Sequence, residues 1–383
     1  MSTKKNWLKL IIAFSLVTIA TFGTIASAGA QSAAGVDVGT PRYATFHGNT
    51  QVGAAGAAAH TAAVAAARSS GFVETVPFWS SAFAADGSIY PFQMVGTDPS
   101  LGSKTTTVKT EIIPLKLVFS NGVVLDGTQK LDKTEDSPIF TKADFTSGHT
   151  QYGDAIQRAE FWKYVSNGSK NYHVLLSEPK IYKTVTLNVP AEYGIEGPSR
   201  RTGAPLGRVD VNWFDTQLQG LLFSLNLSPK TLPIFLDYNT FLYDGGDPAN
   251  CCILGYHNAL PVTTASGDSK IYTYAFAAYS DPGLFGSLPI EDIHALSHEI
   301  SEWYNDPFTD NLTPNWTSPL SPQYGCSNIL EVGDPLVGIA FDVKGYHPQD
   351  ETFYSWFARQ DPSLGIGGKY TYLGTFTAYA PTC

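Results

Sequence analysis

The chain has 383 residues and a formal charge of −10, with 15% charged and 13% aromatic residues. An acidic chain without a Lys/Arg cluster argues against nucleic acid or anionic lipid as a partner. So many aromatics against so few charges set disorder aside and point to a buried globular core.

In chain order, Lys4, Lys5 and Lys9 lead into the apolar run LKLIIAFSLVTIATFGTIA, followed by the small-residue site Ala26-Ser27-Ala28. That is the layout of a secretory signal peptide over residues 1–28. No later run is long and apolar enough to span a bilayer. The expected location is extracellular, with a periplasmic or cell-surface place compatible, and no membrane partner after cleavage. Residues 29–70, rich in Ala, Gly and Ser, read as a linker or loosely docked arm, with ordered structure starting near Gly71.

From residue 71 to 383 the pattern predicts a single large α+β domain, with possible lobes at 71–245 and 246–383 divided at the turn-rich YDGGDPANCC. The first lobe is expected to be β-rich and the second to bear helices. TTTVKTEIIPLKLVF, KTVTLNVP, RVDVNWF and LPIFLDYN have the β-branched and aromatic content of strands. GDAIQRAEFWKYV suits a helix with one buried face, and DTQLQGLLFSLNLS is a second helix candidate. KYTYLGTFTAYA at the C-terminus reads as a strand or hairpin. The four cysteines, Cys251, Cys252, Cys326 and Cys383, are an even set in an exported chain and predict disulfides. Neighbours across a trans peptide bond poorly, so 251 and 252 are expected to reach 326 and 383 in an order left open.

The stretch LSHEISEWYNDP carries the chemistry. Ser287, Pro289, Glu291 and Asp292 signal a helix starting near 289, and Asn305-Asp306-Pro307 stops it. At 100° per residue, Ile293, Leu296, Ile300 and Trp303 form an apolar stripe. Glu291, His294, His298 and Glu302 form the opposite one. Zinc peptidases carry His-Glu-x-x-His on a helix; here Glu302 stands where the second histidine belongs, one turn from His298. Zinc accepts carboxylate oxygen beside imidazole nitrogen, so the substitution is chemically workable. His294 with His298 is a second possible ligand pair. Glu299 holds the general-base position. Further ligands are sought in Asp306, in Glu331 and Asp334 of NILEVGDPL, and His257 of CCILGYHN adds a possible oxyanion donor.

HEISEWYNDP followed by LEVGDPL is similar to the His-Glu-x-x-Glu, Asn/Asp-Pro and Glu-Ile-Gly-Asp-Leu segments of the phosphate-induced protein family, the EXORDIUM-like proteins. CCILGYHN resembles that family's Cys-x-Tyr-His segment. The resemblance covers residues 250–340 and is closer to secreted bacterial proteins of the same pattern. It implies an extracellular or wall-associated setting and carries over His257, His298, Glu299, Glu302, Asp306, Glu331 and Asp334. Asp334-Pro335 departs from the plant pattern, where leucine and cysteine are expected.

These features lead to the expectation of a secreted metal-dependent hydrolase, a zincin-type peptidase with Zn²⁺ and a peptide or protein substrate. The rival expectation is a non-catalytic extracellular module binding cell-wall carbohydrate, with Ca²⁺ as a structural ion. A glycosidase using two carboxylates is a third. No Gly-x-Ser-x-Gly elbow marks a serine hydrolase.

Overall fold

Three of the four runs rich in β-branched and aromatic residues, all but RVDVNWF, come together in one nine-stranded sheet. Its spine is Thr105–Phe119, which pairs in parallel with Thr231–Tyr238, His173–Leu176, Lys180–Ile181 and Val185–Val189, and antiparallel with Val124–Asp126. Thr231–Tyr238 pairs in parallel with Ser269–Tyr279, against which Gly255–Thr263 runs antiparallel. The continuous apolar run in Thr231–Tyr238 is buried almost throughout, as a parallel strand covered on both faces requires. A second sheet orders Gly194–Pro198, Pro205–Asp210, Thr240–Tyr243 and Cys251–Ile253.

This computed structural model describes residues 35–44, 54–69, 73–166, 171–263 and 268–383, with side chains of the first helix described from residue 59. The expected signal peptide lies outside the described residues. Ala34–Cys383 forms one compact unit, and strands on both sides of residues 243–252 share the large sheet. The α+β class holds without a break between residues 245 and 246.

Several elements differ from their sequence reading. RVDVNWF splits, because Asp210 accepts hydrogen bonds from Asn212 N and Trp213 N at 3.0 Å and so caps a helix over Val211–Ser224. The C-terminal KYTYLGTFTAYA forms no strand; Tyr370 N bonds back to Phe376 O, and Leu373 N and Thr375 Oγ1 bond to Asp350. Cys326 pairs with Cys383 at a Cα separation of 5.8 Å. Cys251 pairs with Cys252, whose peptide is cis and whose Cα atoms are 3.0 Å apart; the expected reach to 326 and 383 assumed the trans spacing.

The arm is built into the body. Val64 and Ala67 of the helix Ala54–Ser69 are buried with Ala259, Ile271 and Phe308, and Arg68 pairs with Asp310 at 2.7 Å. Residues 35–44 run beside the second sheet, through Arg42 N to Cys252 O at 3.0 Å and Leu254 N to Arg42 O at 2.9 Å. Ordered structure therefore begins well before Gly71.

Candidate metal centre

The helix spans His294–Asn305, and every residue in it is buried. It starts later than Pro289 because Asp292 takes a positive φ of 47°, which interrupts helical geometry. It ends at Asn305, just ahead of Asp306-Pro307. The apolar stripe is anchored as expected, with Ile300 and Trp303 fully buried, and the helix packs on Ser269–Tyr279, Gly255–Thr263, Ser88–Val95 and Tyr152–Glu160. The polar stripe does not face water. His294, His298 and Glu302 are buried on the other side, which an ordinary amphipathic surface helix would not show.

One turn of this helix sets His298 Nε2 3.0 Å from Glu302 Oε2, and Asp334 Oδ1 lies 3.7 Å from the same nitrogen. Two ligand atoms on a tetrahedral zinc stand roughly 3.3 Å apart, so the spacing fits a shared ion. Glu302 Oε1 is held by Gly333 N at 3.1 Å and Asp334 N at 3.2 Å, which turns its other oxygen toward the histidine. Gly333 is required by close approach: a Cβ there would stand 2.3 Å from His298 Nδ1. Gly255 plays the same part beside Glu299, where a Cβ would meet Oε1 at 2.8 Å.

Around this trio lie Glu299, Glu331, Glu351 and His257, all buried. His257 Nε2 faces Asp306 O at 3.0 Å and its Nδ1 faces Glu299 Oε2 at 3.3 Å. Both ring nitrogens are thus committed to the protein, which suits a positioning role better than the oxyanion donor expected. Glu331 Oε2 is 4.0 Å from His257 Nε2. Asp306, expected among the ligands, stands apart in function: its oxygens accept from Asp310 N and Asn311 N at 3.0 Å, closing the turn after the helix.

Desolvation dominates the electrostatics. Burial pushes Glu302 up to about 8, and raises Glu299, Asp334, Glu331 and Glu351, each pushed further by neighbouring carboxyls, Glu302 first. Burial also drives His298 well below its usual value, keeping the imidazole neutral as a ligand must be. Among the described residues no Lys or Arg makes an ion pair with these carboxyls. His298 Nε2, Asp334 Oδ1, Glu299 Oε1 and both Glu331 oxygens are buried with no hydrogen-bond partner. Buried polar atoms are rarely left so, and a cation could pair His298 Nε2 with Asp334 Oδ1, which belong to one candidate ligand group. Two ligand trios are within reach of such an ion, His298/Glu302/Asp334 and His257/Glu299/Glu302. Glu291, Asp292 and His347 form another acid and histidine group, already satisfied by the 2.7 Å contact of His347 Nδ1 with Asp292.

Two contributors carry no motif. Tyr43 comes from the small-residue arm and stacks on His298 at 3.4 Å between ring centroids and 11° between planes; its N–H donates to Tyr324 Oη at 2.7 Å. Its ring and that of Phe46 are the only aromatic signal in the arm. Glu351 accepts from Tyr152 Oη at 3.0 Å, and only its place in an Asp-Glu pair could have drawn notice. No protein-family model, curated protein or solved structure matches the chain.

Proposed function

We propose that this protein is an exported metal-dependent hydrolase of zincin type acting on peptide bonds, as the His-Glu-x-x-Glu helix suggests; the resemblance to EXORDIUM-like proteins supports the extracellular setting and the metal site. The observation that carries the reading is the buried trio of His298, Glu302 and Asp334 beside a carboxylate, Glu299, with a free oxygen. The three would hold the ion, with Glu331 as a further oxygen donor. An imidazole in the set favours zinc over calcium, which prefers oxygen alone. A bound divalent ion would polarise the scissile carbonyl and ease deprotonation of water.

The residues of the chain supply the rest. With His257 Nε2 donating to the Asp306 carbonyl, one proton lies between His257 Nδ1 and Glu299 Oε2. When that proton sits on Nδ1, Glu299 is an ionised carboxylate whose free Oε1 can take a proton from the attacking water. His257 holds that carboxylate in place. Tyr43 covers His298, so entry of a polypeptide requires residues 35–44 to move aside or be removed.

The test is turnover and metal content together. Glu299→Gln should keep the metal and lose cleavage of a casein substrate; cleavage by a metal-free, folded protein would exclude the reading. The complete burial of the trio favours one second reading, a structural ion in a non-catalytic extracellular module. Calcium in place of zinc, with no cleavage after removal of residues 1–44, would select it.

A further inference from the structure

A groove of about 870 Å³ lies outside the metal trio, in the size range of sites for small molecules. Trp79, Phe161, Tyr164 and Tyr354 give it aromatic walls, and Asp98 and Asp361 add carboxylates to its lining. Tyr164 is 41% exposed, a large aromatic left open to a partner. In the same lining, Trp79 Nε1, Glu160 Oε2 and Ser355 Oγ are shielded from water and have no hydrogen-bond partner. Nothing in the proposed hydrolase chemistry uses them.

We propose that this groove binds a neutral oligosaccharide, with a sugar ring stacked on exposed Tyr164 and hydroxyl groups meeting the unpartnered atoms as small shifts of the lining side chains uncover them. The chemistry selects this class. Trp79 Nε1 can only donate, Glu160 Oε2 accepts, and Ser355 Oγ does both; hydroxyl groups match all three. A cation leaves Trp79 Nε1 without an acceptor, an anion meets Asp98 and Asp361 against the single lining cation Lys163, and a hydrocarbon leaves every polar atom unpaired. Glu160 itself is pushed up to about 8 by burial, which keeps it neutral at pH 7 and able to donate as well. Its other oxygen accepts from Tyr354 N, so it is fixed against the wall.

The experiment is calorimetric titration of the full secreted protein with cellohexaose, chitohexaose, xylohexaose and mannohexaose, and with a neutral decapeptide. At least one sugar should bind. Tyr164→Ala should weaken it about tenfold, the scale of one lost aromatic contact, with unchanged circular dichroism. His298→Ala should bind the sugar as the wild type does, which separates this site from the metal centre. No binding to any of the sugars, binding of the decapeptide alone, or sugar binding that survives Tyr164→Ala and fails in His298→Ala would overturn the proposal.

Discussion

Glu302 and Glu160 are both carboxyls that burial pushes up to about 8, yet their surroundings are opposite. Glu302 shares its pocket with a histidine and other buried acids, a group that could hold a cation. Glu160 is lined by aromatic rings and an open groove, and staying protonated satisfies it. In the proposed readings one raised acid belongs to a site for a cation and the other to a site for neutral hydroxyl groups. A raised carboxyl therefore says little until the groups around it are named.

The comparison can be broken at several points. The largest effect is expected from Glu299→Gln, which should cut peptide cleavage by roughly 10²–10⁴-fold while elemental analysis finds the metal still bound. A stoichiometric metal held about a thousandfold above its dissociation constant adds about 4 kcal/mol. Chelation should remove that from the wild type, by chemical denaturation, and change His298→Ala far less. Tyr43→Ala removes a buried ring stacked on His298 and should cost roughly 3 kcal/mol. It should also speed metal loss to a chelator at least tenfold, whereas Tyr164→Ala in the groove should do neither.

The pH dependence sharpens the contrast most finely. In metal-free protein, Glu302 and Glu160 keep a folded-state proton up to about pH 8, against ordinary values of 4.5. Their contribution to stability is complete below that ordinary value and is lost as pH rises through the folded one. His298, held below 6.5, works in the opposite sense, but its contribution is complete above that pH. Between pH 6.5 and 8 stability should fall as pH rises. Metal should remove the part due to Glu302 and the acids around it, and Glu160→Gln the part due to Glu160. A denaturation series at fixed ionic strength checks this; a slope that metal leaves untouched would deny the centre its cation.

Much of the centre was legible because a helix puts residues i and i+4 on one side. His298 and Glu302 follow from that spacing, and Glu331 and Asp334 from a short acidic segment after it. Tyr43 and Glu351 reach the site through the tertiary fold, and no local period records them. The glycines at 255 and 333 needed the neighbouring side chains before their necessity showed. Thr105–Phe119 and Thr231–Tyr238 were readable as strands from β-branched content. RVDVNWF was misread because the capping carboxylate of Asp210 outweighs the strand preference of the residues after it. The vicinal disulfide was unreadable from a trans-peptide rule.

Elemental analysis of purified wild type beside His298→Ala tests the account most directly. It predicts near one equivalent of zinc in the wild type and its loss in the folded variant. A folded wild type without metal, or a variant that retains the same metal, would contradict it.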